Sequence, residues 1–244
     1  MNLLLISNST NYGEKYLEWP KNHIKAFMQG FDGKEILFIP YAGVGMDPDN
    51  LNKSYDIYEK KVADVFSELG LIIHSIHHYD NPVEAVNQAK AIAVGGGNTF
   101  HLVAKLHEYR LMDAIANKVR SGMPYMGWSA GSNVACPSLM TTNDMPIIQP
   151  ESFRCMNIIP FQINPHYIDA HIQGHAGESR KQRLDEFMII NKDMPVVGLR
   201  EATLLEIHQE DIQLKGSRPL VYFRFGNEPV DYNPGDDISF LLKA

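Results

Sequence analysis

"MGWSAGSNVA", residues 126–135, sets a serine between two glycines at the spacing Gly-x-Ser-x-Gly, after a short apolar run and before an apolar, helix-like stretch. A serine on a sharp strand-to-helix turn stands exposed at the top of a sheet. Gly127 and Gly131 leave the flanks of Ser129 without side chains, and the helix N-terminus that follows aims the Ala130 amide at charge developing on an attacked carbonyl. The same five residues could instead be a tight turn of small residues, so the surrounding sequence has to decide.

Upstream, apolar bursts alternate with amphipathic periods, the pattern of strand and helix units on a largely parallel sheet. "LLLIS" (3–7), "EILFIPYA" (35–42) and "LIIHSIH" (71–77) read as strands, the first two nearly continuous in apolar residues, as strands covered on both faces should be. Between the last two, Tyr55, Tyr58, Val62, Val65, Phe66 and Leu69 recur at steps of three and four, and Gly70 ends the helix they predict. "AIAVGGGNTFHLVAKL" (91–106) gives a strand, three glycines, Asn98 and Thr99 as cap candidates, and a helix with Leu102, Val103 and Leu106 on one face. A further helix through Leu111, Ile115 and Val119 leads to the strand "PYMGW", so Ser129 falls between strand and helix.

Periodicity weakens from Pro137 to Pro165, where irregular loops and a short strand such as "FQINP" are expected. A helix follows through Leu184, Phe187 and Met188. The alternating "ATLLEIH" and "LVYFRFG", with "KGSRP" read as the turn between them, predict antiparallel strands added at a sheet edge. The expected architecture is α/β: one domain over 1–244, a mostly parallel sheet with helices on both faces, a nucleophile elbow and antiparallel edge strands near the C-terminus.

Composition narrows the function. The chain has 244 residues, 44% of them apolar, and a net charge of −7 with no basic run able to neutralise successive phosphates. Nucleic acid is not an expected partner. "MNLLLISNST" lacks the basic, apolar and cleavage segments of an export signal, and no stretch approaches the ~18 apolar residues of a membrane span. A cytoplasmic protein, monomer or homodimer, with no membrane partner is expected. Its two cysteines, Cys136 and Cys155, read as buried free thiols.

A nucleophilic serine also needs a base and oxyanion donors. Gly95, Gly96 and Gly97 can bring a backbone amide close to a ligand, and "GGGNTF" lacks the lysine and the spacing of a phosphate-binding loop. Among ten histidines, His74, His77, His78, His101, His107 and His208 sit where surface or core roles suffice. His166 in "INPHYID" follows Pro165 at the end of an apolar run, a loop position suited to catalysis, with His171 and His175 as competitors. The carboxylate that orients the base is sought in Asp144, with Asp169, Glu178 and Glu201 left open. Arg180 and Arg183 are either a solvated helix face or a cation for an acidic substrate.

The pieces "LLLISNST", "AVGGGNTF", "GWSAGSNVA", "TTNDMPI", "FQINPHY" and "GHAGESRKQR" together resemble the peptidase E family of α-aspartyl dipeptidases, in the family's order to about residue 183. The resemblance implies a fold similar to class I glutamine amidotransferases and a Ser-His-Asp triad working without metal or cofactor. It puts the nucleophile on Ser129, the acid on Asp144 and the base on His166. It further implies a small peptide substrate with an N-terminal aspartate, Arg180 as partner of its β-carboxylate, and Glu201 as partner of its amine. Ala202 departs from the family where a glycine is expected, and the tail after Glu201 matches least. A hydrolase of aspartyl polymers, a general esterase and a catalytically silent binding module are the competing readings.

Overall fold

The computed structural model describes residues 1–169 and 177–243. The elements in chain order are β1 (Asn2–Ile6), α1 (Lys21–Gln29), β2 (Glu35–Ile39), α2 (Leu51–Glu68), β3 (Ile72–Ser75), α3 (Pro82–Gln88), β4 (Ile92–Val94), α4 (Thr99–Glu108), α5 (Leu111–Arg120), β5 (Pro124–Trp128) and the short α6 (Ala130–Asn133). They continue with β6 (Gln162–Tyr167), α7 (Arg180–Ile190), β7 (Val196–Arg200), β8 (Thr203–His208), β9 (Asp211–Gly216), β10 (Leu220–Phe223) and β11 (Val230–Tyr232).

Seven strands form the main sheet in the order β3-β2-β4-β5-β1-β8-β9. The first five run parallel, and β8 and β9 extend the β1 edge antiparallel. Because side chains alternate across a strand, each of the inner parallel strands β1, β2, β4 and β5 serves two cores, while the edge strand β3 alternates buried and exposed residues. Leu3, Leu5, Leu37, Ile39, Ile92, Val94 and Tyr125 point to one face, where they pack with Leu102, Leu106, Ile115 and Val119 of α4 and α5. Leu4, Ile6, Ile36, Phe38, Ala93, Met126 and Trp128 point to the other, against Ile24 and Phe27 of α1 and Val62 and Phe66 of α2. This two-sided burial is why those strands read as continuous apolar runs rather than alternating ones.

A second sheet, β11-β10-β7-β6, was not anticipated. "LVYF" does not pair with "TLLEIH"; β8 pairs with β1 and β9, while β10 pairs with β7 and β11. "KGSRP" is therefore a crossing between sheets rather than a hairpin turn. Gly216 ends β9 with φ +116, and a Cβ there would lie 2.1 Å from the Ala202 oxygen. Alternating apolar residues specify a strand but not its partner, so the periodicity could not separate the two sheets. Helix α7, opened by a Ser179–Gln182 capping box, covers the second sheet through Leu184 and Met188 packed on Tyr167, Val196 and Phe223.

Close backbone approach fixes the elbow. A Cβ on Gly127 would stand 2.2 Å from the Gly131 oxygen, and one on Gly131 would stand 2.1 Å from the Val94 oxygen. Both contacts are with backbone, which has no rotamer by which to move aside. Gly131→Ala should therefore lose about 2–4 kcal/mol in urea unfolding, against less than about 0.5 kcal/mol for Gly45→Ala, whose added methyl meets nothing within 4 Å.

Candidate active site

Strands β4, β5 and β1 deliver their C-terminal ends to one place, the usual location of a ligand site on a parallel sheet. Ser129 follows β5 with φ 53 and ψ −111, a conformation that costs a side-chain-bearing residue about 1–3 kcal/mol. The turn is pinned on both sides: Ser129 N donates to the Ile6 oxygen at 3.0 Å, and the Ser129 oxygen accepts from Asn133 N at 3.0 Å. The amides of Ala130, Gly96 and Gly97 have no acceptor among the described residues. Gly96 packs so closely that a Cβ on it would be 3.0 Å from the Ser129 Cβ.

The glycine loop is held from α2. Tyr58 Oη donates to the Gly96 oxygen at 2.9 Å and receives Trp128 Nε1–H at 3.1 Å and the Tyr16 hydroxyl at 3.2 Å. Burial pushes the Tyr58 phenol up to about 12, so it stays a protonated donor. The sequence shows Tyr58 only as one apolar position of α2; its hydroxyl role carries no periodic signal.

His166 Nε2 lies 3.0 Å from Ser129 Oγ, and its Nδ1 lies 2.8 Å from Glu201 Oε1. The backbone explains how. Strands β6 and β7 run parallel with Pro165 opposite Leu199 and Tyr167 opposite Arg200, and the register shifts between Pro165 and Tyr167. His166 is the extra residue, with φ 53, and such a bulge turns a side chain out of the strand's alternation. Glu201 follows Arg200 directly, so the bulge and the end of the neighbouring strand face each other. Ser7, just past β1, receives His166 N–H at 3.0 Å and donates to the Leu199 oxygen at 2.7 Å, tying both strands to the main sheet. Asn143 donates to the Pro165 oxygen at 2.6 Å and Asn8 Oδ1 receives Ala202 N–H at 2.9 Å.

Asp144, the carboxylate expected on His166, does not reach it: the group on Nδ1 is Glu201, expected instead near the substrate amine. Asp144 Oδ2 accepts Thr99 N–H at 2.7 Å, Thr99 Oγ1–H at 2.6 Å and Thr142 Oγ1–H at 3.1 Å. It thus sits at the positive end of α4, favourable for a carboxylate. The physical reason for the exchange is the second sheet, which brings residue 201 beside residue 166 while α4 claims residue 144. The other carboxylates are occupied, Asp169 by Arg200 and Glu178 by Arg183. Ala202 adopts φ 62, which is where a glycine would be unstrained.

Histidines read as surface or core residues are engaged elsewhere. His101 Nδ1 bonds the Tyr41 oxygen, with burial holding its imidazole below the usual value, His107 bonds the Arg154 oxygen, and His208 meets Glu206. His171 and His175 lie outside the described residues. Cys136 and Cys155 are buried free thiols, Cys136 pushed up to about 12 by burial and hence no ready nucleophile.

Ser129 and His166 open on a solvent-connected cleft of about 250 Å³ lined also by Thr99, Asn143, Asp144 and Arg180. Arg180, the first residue of α7, is half-buried and has no carboxylate partner among the described residues. Burial and the neighbouring Arg183 hold its guanidinium below the ordinary value. A cation so placed attracts an anionic ligand group. No helix among the described residues is long and apolar enough to cross a membrane.

Fold and elbow define the class, an α/β protein with a serine at the strand-to-helix turn above a mostly parallel sheet. The sequence pattern of peptidase family S51 matches residues 3–215. Relatives include peptidase E of Nostoc sp., 49% identical over 99% of this chain and 96% of its own, and peptidase E of Actinobacillus pleuropneumoniae serotype 5b, 44% identical over 91% and 92%. The crystal structure of a peptidase from an acI-B1 Actinobacterium superposes with a TM-score of 0.71 at 20% identity, covering 98% of this chain and 96% of that one. The chain belongs to peptidase family S51 and is a serine peptidase.

The hydrogen-bonded arrangement gives Glu201 a measurable task. Glu201→Gln keeps the shape but removes the charge facing Nδ1, so fluorophosphonate labelling of Ser129 should slow by about 10²–10⁴. Asp144→Asn should leave the labelling rate within about threefold, because its carboxylate bonds Thr99 and Thr142 rather than His166.

Proposed function

We propose that this peptidase hydrolyses dipeptides with an N-terminal aspartate, Asp-Xaa, through an acyl-enzyme on Ser129. The observation that carries this reading is the half-buried Arg180, without a carboxylate partner among the described residues, in the same cleft as Ser129, His166 and Asp144. A guanidinium can take both oxygens of the substrate's β-carboxylate, and the Asp144 carboxylate can take the free amine. A ligand carrying a positive amine and a negative side chain matches that pair of charges.

Turnover follows from the contacts. His166 Nε2 takes the Ser129 proton as Oγ attacks the aspartyl carbonyl carbon, and the oxyanion is received by the amides of Ala130 and of Gly96 or Gly97. Glu201 stabilises the imidazolium and holds the ring with Nε2 toward the serine. The tetrahedral intermediate collapses, His166 gives its proton to the leaving amine, and the second residue departs. Water, deprotonated by His166, then attacks the aspartyl ester and frees Ser129. Exposed side chains on His166 and Glu201, 39% and 40%, leave room for that water.

The test is hydrolysis of Asp-Leu beside Leu-Asp, Glu-Leu and acetyl-Asp-Leu, with Ser129→Ala as blank. The expected result is cleavage of Asp-Leu alone, lost in the blank. In Arg180→Met the preference for Asp-Leu over Ala-Leu should fall about 10- to 200-fold, the equivalent of a charge-assisted contact of about 1.5–3 kcal/mol. Faster turnover of neutral esters or of an aspartyl polymer than of Asp-Leu would replace the dipeptide with those substrates.

A further inference from the structure

Far along the sheet from the serine, at its β3 edge, four metal-ligating side chains converge. Asp56 and Glu59 stand three apart on α2, hence on neighbouring positions of one face, and His77 and His78 occupy a single helical turn that follows β3. Their ligand atoms all lie within 4.8 Å of one another. His77 Nε2 is 3.0 Å and His78 Nε2 3.7 Å from Asp56 Oδ1, and His78 Nε2 is 2.7 Å from Glu59 Oε2.

We propose that Asp56, Glu59, His77 and His78 form a binding site for a divalent transition metal, Zn²⁺ above all, that clamps α2 to the edge strand. Two imidazoles and two carboxylates are a donor set suited to Zn²⁺, and the two negative charges match a divalent cation. Tetrahedral bonds of about 2.0–2.2 Å place ligand atoms about 3.4 Å apart, so the four need only small side-chain adjustments.

Their supports favour coordination over a pair of ordinary ion bridges. Ser75 Oγ bonds His77 Nδ1 at 2.6 Å, which points Nε2 at Asp56, and Ser75 N–H holds Glu59 Oε1 at 2.8 Å, which leaves Oε2 for the shared centre. Such partners are what orient metal ligands. The imidazole centroids lie 3.9 Å apart, so the two rings present Nε2 side by side toward Asp56 Oδ1. The pocket is reachable: His78 is 53% and Asp56 55% exposed, whereas His77 is 7% exposed and gives a fixed wall. The site uses none of the groups assigned to peptide hydrolysis and stands independently of that assignment.

Chelator-treated full-length protein titrated with ZnCl₂ by calorimetry should take up one Zn²⁺ per chain, with a rise in Tm on saturation. Asp56→Asn and His78→Ala, both at exposed side chains, should weaken binding about tenfold or more and abolish the Tm rise, while circular dichroism confirms that each is folded. His166→Ala should bind zinc as the unchanged protein does. No uptake by the unchanged protein, undiminished uptake in both Asp56→Asn and His78→Ala, or loss of uptake in His166→Ala would each overturn the proposal.

Discussion

The approach of two backbone segments at Gly127 and Gly131 is the constraint on which the rest of the site depends. With 2.2 Å between the Gly131 oxygen and the place of a Gly127 Cβ, the chain can leave β5 and enter α6 only in the sharp turn that holds Ser129 at φ 53. That turn exposes the hydroxyl and leaves the Ala130 amide, at a helix start, without an acceptor among the described residues. The second contact, between Gly131 and the Val94 oxygen, sets α6 against β4, and Gly96 beyond β4 then packs against the serine. Ser129 and the amides of Ala130 and Gly96 are thus positioned by one set of packing contacts.

His166 and Glu201 come from a different structural source. The second sheet supplies them through the parallel pair β6 and β7, in which a bulge ejects His166 and the strand end presents Glu201. Two rigid sheets would place these groups loosely if they touched only through apolar packing. Ser7 and Asn8 prevent that, since the residues immediately after β1 bond the backbone of His166, Leu199 and Ala202. Three of the positive-φ residues, Ser129, His166 and Ala202, meet around the cleft, and ordinary hydrogen bonds hold each of the three.

The charges in the cleft divide the labour in a physically consistent way. Asp144 is held by a helix N-terminus and two threonine hydroxyls, Glu201 by the imidazole it faces, and Arg180 is left unsatisfied among the described residues. A half-buried guanidinium facing the cleft without a carboxylate partner among the described residues is the group that the proposed reading assigns to an anionic ligand. Tyr58 links the cleft to the core: one phenol braces the glycine loop from the middle of an apolar helix face.

The sequence by itself determined the parallel core and the elbow. Continuous apolar runs at Leu3–Ile6 and Ile36–Ile39, the period of α2 and the glycines around Ser129 are local signals, set by burial on two faces and by the absence of a Cβ. The family motifs in order carried the serine and the histidine. What only the tertiary structure decided is which strand joins which sheet and which carboxylate meets His166. Alternation at residues 202–226 is the same whether a strand pairs with β8 or with β7, and Asp144 and Glu201 offer the same functional group. Their roles are separated by a long-range strand pairing and a one-residue bulge, neither of which leaves a trace in the residue pattern.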